Sequence, residues 1–196
     1  MSKKELLLAI LLLALISVFF FYQVFLKGYI PFPGDLLISE YNPWRTYSYL
    51  GYNPGSYPTK LQYFDAIRQL YPWQTLVTDI LKKGEIPLWN PYSFSGSPLL
   101  ANFQSAVFYP LNLLYLVLPQ IISWTILVML QPLLAGIFIY LFTREIGLGK
   151  IGSFFSAIAF SYSLFMSVFL EYKIIGHTIL WLPFSLLFLE KLTKQV

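Results

Sequence analysis

The sequence has no cysteine and few charged residues. Only 11% of its 196 residues are Asp, Glu, Lys or Arg, whereas a soluble globular domain carries about 25%. This shortage of charge excludes an ordinary soluble domain. The absence of cysteine excludes a disulfide framework, so a folded segment outside the membrane depends on its own packing and on contact with the membrane.

The sequence motifs of several enzyme classes are also missing. The chain has no P-loop, no glycine-rich dinucleotide motif, no G-x-S-x-G nucleophile elbow and no H-x-x-x-H or D-x-D spacing for a metal. No ionisable residue lies deep inside an apolar run. Because ion pathways and proton relays use such residues, a pump or coupled transporter made of these runs alone is disfavoured.

Long apolar runs dominate what is present. Residues 6–26, 121–142 and 151–170 contain no Asp, Glu, Lys or Arg, and each has about the 20 residues that a helix needs to cross a bilayer. The run 174–189 is shorter and carries His177, so it needs flanking residues or local thinning to span. We therefore predict an all-α polytopic membrane protein with four transmembrane helices.

The positive charges predict the topology. They cluster before the first run, between the second and third, and after the fourth, at Lys3, Lys4, Arg144, Lys150, Lys191 and Lys194. With four spans these places share one side, which the positive-inside rule assigns to the cytoplasm. Both termini are then cytoplasmic, in an integral protein of a prokaryotic cytoplasmic membrane. The net charge of +4 is accordingly a topology signal and not a sign of nucleic-acid binding.

This topology divides the chain into seven segments. The first run is predicted to be an uncleaved signal anchor, because its apolar core exceeds the roughly 7–15 residues of a signal peptide and no A-x-A-like site follows it. The segments are the N-terminus with the first helix (1–26), a large outer loop (27–120), the second helix (121–142), a cytoplasmic loop (143–150), the third helix (151–170), an outer turn with the fourth helix (171–189) and a cytoplasmic tail (190–196).

The outer loop is rich in proline and aromatic residues, which break any further span and are typical of a shaped site at the lipid–water boundary. Residues 73–81 predict an amphipathic helix that is too short to span and lies in the membrane interface. Its apolar stripe consists of Trp73, Leu76, Val77, Ile80 and Leu81. Residues 105–118, interrupted by a proline, predict a second interfacial or re-entrant helix.

One outer-loop acid is a candidate catalytic residue by its position. Asp35 comes just after the first run, where a general base or metal ligand for a lipid-linked substrate must lie. Its structural alternative is a turn residue or the N-cap of the helix that follows. Asp65 is better explained as part of a solvated helix face, where it can pair with Arg68 or Lys60.

One histidine and the outer aromatic residues are candidate ligand contacts. His177 could ligate a metal, bind phosphate or shuttle protons, or it could be an interface residue with one satisfied hydrogen bond. Trp89 and its aromatic neighbours suit stacking on a sugar ring. An interfacial aromatic belt is the alternative.

A set of short motifs runs through the loop in a fixed order. The most specific part is the run G-E-I-P-L-W-N-P followed by G-S-P-L-L-A-N, between residues 84 and 102. Pro-Gly-Asp at 33–35, Tyr-Pro-Trp at 71–73, Gln-Ser-Ala at 104–106, Tyr-Pro-Leu-Asn at 109–112, Gly-His at 176–177 and Leu-Pro at 182–183 complete it. Together they resemble the N-terminal part of the YfhO-type bacterial membrane proteins, which are similar to the GT-C class of polytopic glycosyltransferases.

The resemblance implies transfer of a sugar from a polyprenyl-phosphate carrier on the outer face. It maps the acidic residue of the first outer loop onto Asp35, with Asp65 as the weaker candidate. For this function, Arg45, Arg68 and His177 are candidate contacts of the carrier phosphate, because guanidinium groups match phosphate oxygens. A divalent cation, Mg²⁺ or Mn²⁺, is left open, with Asp35 and His177 as candidate ligands. The other implied substrate-binding residues are Trp89, Asn90, Asn102 and Gln104.

Members of that family have more spans and longer chains, so the resemblance also implies a missing C-terminal membrane portion or a partner subunit. The expected partners are membrane lipids and a polyprenyl-phosphate sugar. The alternative function is a non-catalytic membrane module that binds a lipid carrier or a partner subunit.

Overall fold

The computed structural model describes residues 1–48, 51–56 and 61–194 and is mostly helical. The chain divides into two compact units, each described by itself. The helical unit comprises Met1–Pro31 and Trp124–Val196, and the central unit comprises Phe32–Ser123. In chain order the elements are α1 (Lys3–Phe20), α2 (Tyr22–Lys27), α3 (Leu37–Glu40), α4 (Tyr71–Lys82), β1 (Trp89–Asn90), β2 (Ser97–Pro98), α5 (Leu114–Val117), α6 (Gln120–Glu145), α7 (Lys150–Ser161), α8 (Leu164–Val168), α9 (Ile174–Ile179) and α10 (Trp181–Thr193).

Among the described residues, three helical segments are long and apolar enough to cross a membrane. They are Gln120–Glu145, Lys150–Val168 and Ile174–Thr193, with mean hydropathies of 2.1, 1.6 and 1.3. The last is longer than the predicted run 174–189, because the helix continues into Thr193. The first predicted span is not among the three. α1 has 18 residues, and three of them are charged, Lys3, Lys4 and Glu5.

Three of the predicted continuous spans are interrupted, and the run 174–189 breaks at Leu180 between α9 and α10. The run 6–26 breaks at Phe21 between α1 and α2, and Gly28 ends α2 with a φ of 65°. The run 151–170 breaks between α7 and α8, where the Ser163 hydroxyl accepts a hydrogen bond from the Met166 amide at 3.3 Å. Serine competes with the helix for backbone donors and favours such a cap over a helix interior.

The helical unit packs through small residues. Ser2 caps α1 by accepting a hydrogen bond from the Glu5 amide at 3.1 Å. At Gly136 on α6, an added Cβ would lie 2.9 Å from the Ser161 hydroxyl and 3.3 Å from Leu13. Helices α1, α6 and α7 therefore approach closely. The core beside this contact consists of Ala9, Leu13, Tyr140 and Ala157.

The central unit has its own apolar core, which includes Leu36, Ile38, Tyr63, Ala66, Leu70, Val77, Leu99 and Tyr115. The predicted helix 73–81 is present as α4, with Pro72 in its first turn and Gly84 beyond its end at a φ of 77°. A π-helical turn, Ala66–Leu70, precedes it. The side chain of Gln120 joins the start of α6 to α4, since it donates to the Tyr71 carbonyl at 2.9 Å and accepts from Thr75 at 2.8 Å.

The predicted second interfacial helix, residues 105–118, is wrong. This stretch forms the single turns Phe103–Ser105 and Pro110–Leu113 and the four-residue helix α5. Proline at position 110 cannot supply a backbone donor, and Ala106 has a φ of 48°, which a helix does not allow. The antiparallel hairpin of β1 and β2 was not predicted either.

Candidate functional site

Asp35 lies in the middle of a single 3-10 turn, Gly34–Leu36, that begins the central unit. Its neighbours Pro33 and Leu36 are fully buried, whereas Asp35 is half-buried. The N-cap positions belong to Pro33 and Leu36, with no side-chain cap bond, so the N-cap interpretation is wrong. Within the described residues the Asp35 carboxylate has no hydrogen-bond or ion-pair partner. The buried neighbours hold this acid in place while its oxygens stay unengaged.

The segment that carries Asp35 continues into α3, which is tied to Arg68. The Arg68 guanidinium forms an ion pair with Glu40, donates from Nε to the Tyr41 hydroxyl at 3.1 Å and lies 4.4 Å from the centroid of the Phe64 ring. The hydrogen bond to Tyr41 and the charges of Glu40 and Asp65 raise the pKa of Arg68. Arg68 is therefore already engaged, which weakens its case as a phosphate ligand.

Two further candidates of the central unit are exposed. Asp65 lies at the start of the π-helical turn and acts on Arg68 through its charge, as the pairing alternative predicts. Arg45 lies in the turn Trp44–Thr46. In the described part of the chain its guanidinium has no ion-pair partner. Of the two arginines, Arg45 is the one free to meet an anion.

The motif between residues 84 and 102 builds the hairpin. Asn90 is buried, and its side-chain amide forms two hydrogen bonds. Its Oδ1 accepts a hydrogen bond from the Tyr92 backbone amide at 2.9 Å, and its Nδ2 donates one to the Ser93 hydroxyl at 3.0 Å. Trp89 is 52% exposed, and its indole covers Gly96, where an added Cβ would lie 2.4 Å from Nε1. Asn90 thus forms the turn, while Trp89 keeps a face open to a ligand.

The next turn follows the same pattern. Asn102 caps the turn Phe103–Ser105 by accepting from the Gln104 amide at 3.1 Å, and the Gln104 side chain is exposed. The Ser105 hydroxyl closes the turn through the Leu99 carbonyl at 2.8 Å. The asparagines of the motif have structural hydrogen bonds, and Trp89 and Gln104 present free side chains.

His177 lies in the helical unit, in α9, and is only 3% exposed. Its Nε2 is 2.8 Å from the Leu127 carbonyl, which makes it a donor there. The arrangement matches the alternative of an interface residue with a satisfied hydrogen bond. The Nε2 nitrogen of His177 is therefore engaged by the backbone of α6.

Lys173, one turn before His177, was missed. It is 3% exposed, has a φ of 66° and places Nζ 5.3 Å from the centroid of the Trp124 ring. Burial lowers its pKa from 10.5 to about 7. No sequence signal marks it, because the burial depends on Trp124, which is distant in the chain. A buried amine of this kind is typical of functional sites and also of structural clusters.

Gln131, which precedes Pro132 in α6, makes a polar contact with the segment that follows α8. Its Nε2 donates to the Leu170 carbonyl at 2.9 Å. Its Oε1 is buried without a hydrogen-bond partner in the described residues. An added Cβ at Gly176 would lie 1.8 Å from that oxygen, so only glycine fits beside it.

A metal centre does not fit the described residues. Among them no group of three or more His, Asp or Glu side chains is placed to hold an ion. Asp35 and His177, the two candidate ligands, belong to different units.

Comparison with known proteins provides no relative, since no family model, curated protein or solved structure matches the chain. The YfhO-type resemblance remains a hypothesis supported by the sequence motifs. In the central unit the structure has a carboxylate at Asp35 with no partner among the described residues, an exposed guanidinium at Arg45 and a half-exposed indole at Trp89.

Proposed function

We propose that this protein, or a larger assembly that contains it, transfers a sugar from a polyprenyl-phosphate donor at the outer face of the membrane. The observation that carries the proposal is the Asp35 carboxylate, which is half-buried on a turn with buried neighbours and has no partner in the described residues. A side chain with only a structural role in this turn would be expected to cap it. The sequence resemblance points to the same residue.

The proposed chemistry needs one base. An acceptor hydroxyl attacks the anomeric carbon of the donor sugar, the bond from that carbon to the phosphate oxygen breaks, and polyprenyl phosphate leaves. Asp35 accepts the hydroxyl proton, which is general-base catalysis. Arg45 binds the leaving phosphate, since a guanidinium matches phosphate oxygens. Trp89 stacks on the sugar, and Gln104 is the remaining exposed polar contact.

The membrane arrangement of this proposal has four spans. Three are the segments that qualify by length and composition, and the fourth combines α1 and α2. The central unit then faces outward from the cytoplasmic membrane and both termini face inward. This orientation follows from the positive charges of the sequence.

Asp35→Asn tests the catalytic role. The substitution keeps the size of the side chain and removes the charge that takes the proton. We expect normal expression and insertion but a loss of transfer of about 100-fold or more, measured with a lipid-linked sugar in membranes, in the longest natural chain that contains this segment.

Asp79→Asn is the matched control, because Asp79 is exposed on α4 and should keep full activity. Full transfer by Asp35→Asn would exclude Asp35 as the base. The catalytic assignment would then pass to Asp65 or leave this chain.

A non-catalytic binding module is the second candidate function, and one observation favours it. Residues 86–143 contain no charged side chain, yet Phe94 and Phe103 in this stretch are fully exposed. An exposed aromatic surface of this kind binds a lipid carrier or a partner subunit without any chemistry. This candidate function would be supported if the protein binds the lipid carrier but transfers no sugar, both as this chain and in the longest natural chain that contains it.

A further inference from the structure

A cavity of about 460 Å³ lies in the helical unit, among α1, α6 and α7. Its volume falls in the range of small-molecule sites, roughly 300–1,000 Å³. One part of its wall is apolar, formed by Leu8, Leu12 and Phe154. The other part is polar and contains Lys4, Glu5 and Lys150.

The polar end of the cavity has an excess of positive charge. Its one carboxylate, Glu5, accepts hydrogen bonds from Arg144 Nε at 2.7 Å and from the Tyr140 hydroxyl at 3.1 Å. Lys150 Nζ lies 3.7 Å from the other Glu5 oxygen. Arg144 alone balances the charge of Glu5, which leaves the two lysines to attract an anion.

Both lysines can reach a ligand. The Lys150 side chain is 70% exposed despite its contact with Glu5. Lys4 is exposed, and within the described residues it has no carboxylate partner. These amines belong to the positive clusters that the topology assigns to the cytoplasmic side, where anionic lipid headgroups lie.

The apolar wall indicates what the rest of the ligand must be. Leu8 is 58% exposed and Leu12 is 40% exposed, although both belong to an apolar helix. A water-soluble phosphate compound would leave this apolar wall of the cavity unfilled, whereas an acyl chain packs along it. One molecule that joins an anionic head to an acyl chain satisfies both ends of the cavity.

We propose that the cavity binds an anionic phospholipid, with its phosphate at Lys4 and Lys150 and one acyl chain along Leu8, Leu12 and Phe154. The lipid links the start of α1 to α7 and stabilises the helical unit. This site does not depend on glycosyl transfer, and its residues are not those of the proposed base. The outcome of its test is therefore independent of the outcome of the test of the proposed function.

The test uses the full chain purified in detergent and depleted of lipid. Phosphatidylglycerol and phosphatidylcholine with the same acyl chains are titrated, and the melting temperature is followed for each. We expect phosphatidylglycerol to raise the melting temperature more than phosphatidylcholine does. Glycerol 3-phosphate, which has the phosphate without the acyl chains, should have no effect.

The variant Lys4→Gln with Lys150→Gln should bind phosphatidylglycerol roughly 30-fold more weakly, since each lysine beside an anionic lipid contributes about a factor of five. Lys191→Gln is the control, because Lys191 is exposed on α10 and does not line the cavity. Because the double variant also removes the contact with Glu5, the two lipids are compared within each variant.

Leu12→Trp, which fills the cavity, should abolish the preference for phosphatidylglycerol even if the lysines remain. Equal shifts with both phospholipids, a full shift with glycerol 3-phosphate alone, or the same phosphatidylglycerol affinity in the double variant and in Lys191→Gln would each overturn the proposal.

Discussion

Among single residues, Lys173 is the one whose environment departs most from expectation. A lysine in a turn between two apolar segments normally extends to water, since desolvation disfavours the charged amine. Here it is buried beside Trp124, in a left-handed backbone conformation that is uncommon for a residue with a side chain. Both features cost free energy, so the surrounding helices must compensate for them.

The buried lysine predicts a pH dependence of stability. Its folded-state pKa is about 7 and its ordinary pKa is 10.5, so between these values the unfolded chain binds more protons than the folded chain. The free energy of unfolding should therefore rise with pH across this window, by at most about 1.4 kcal/mol per pH unit. Thermal unfolding in detergent at pH 7 and pH 9.5 measures the effect.

Lys173→Met removes the titrating group and keeps the length of the side chain. It should lose the rise in stability and be more stable than the wild type at pH 7. Lys83→Met, at an exposed lysine, should keep the wild-type pH dependence. An unchanged rise in Lys173→Met would assign the effect to another group.

Arg68 shows a second difference at this scale. The sequence predicts Arg68 either as a ligand of the carrier phosphate or as the ion-pair partner of Asp65 on the same helix. The ion pair with Glu40 connects it instead to the segment of Asp35. Both side chains are more than a third exposed, and ion pairs this exposed contribute about 0–1 kcal/mol. Arg68 therefore positions α3 weakly and can exchange partners.

At the level of elements, α4 presents a different buried face from the predicted one. The apolar stripe predicted a side that rests on lipid, centred on Leu76 and Ile80. In the structure Gln74, Val77 and Thr78 are the buried residues, while Leu76 and Ile80 are half-buried. The side chain of Thr75 is also engaged, through Gln120. α4 thus packs within the central unit.

The burial of this face predicts how strongly different substitutions on α4 destabilise the central unit. Val77→Asp should destabilise the central unit by several kcal/mol, because Val77 is 1% exposed and a buried charge has no partner there. Leu76→Asp should have an intermediate effect and Asp79→Ala, at an exposed site, less than about 0.5 kcal/mol. Limited proteolysis of the central unit reports the order. If Leu76→Asp were the most damaging, α4 would rest on lipid as the sequence suggested.

For the whole molecule, the property to be measured is the side of the membrane on which each segment lies. The sequence has no cysteine, so a single introduced cysteine can be labelled at a chosen position. Single cysteines at Ser2 and Gly149 should be shielded from an impermeant thiol reagent applied to intact cells. A cysteine at Glu85, an exposed position of the central unit, should react. The reason is the positive charge beside Ser2 and Gly149, which the positive-inside rule retains in the cytoplasm.

Reaction of Gly149→Cys from outside would overturn the four-span topology. A shielded cysteine at both Gly149 and Glu85 would instead indicate that the central unit does not face outward. Membrane permeabilisation, which should expose both sites, controls for burial of the label position.

Much of this architecture depends on local composition alone. The length of the apolar runs and their lack of charged residues determined the three helical segments that can span a membrane. Moving a charged side chain from water into the bilayer costs free energy, so a spanning helix must consist mainly of apolar residues. Glycine likewise determined the end of α4, since Gly84 lies just beyond its C-cap. These effects act within a few residues, so the sequence suffices for them.

Only the tertiary structure decided the environments of the candidate site residues. Among the described residues, Asp35 neither caps a helix nor has a partner. Arg68 forms an ion pair with Glu40, and Lys173 is buried against Trp124. Each outcome depends on a partner that a local pattern does not identify, or on the lack of one. The hairpin was missed for the same reason, because its strands have two residues each and are held by the packing of Trp89 on Gly96.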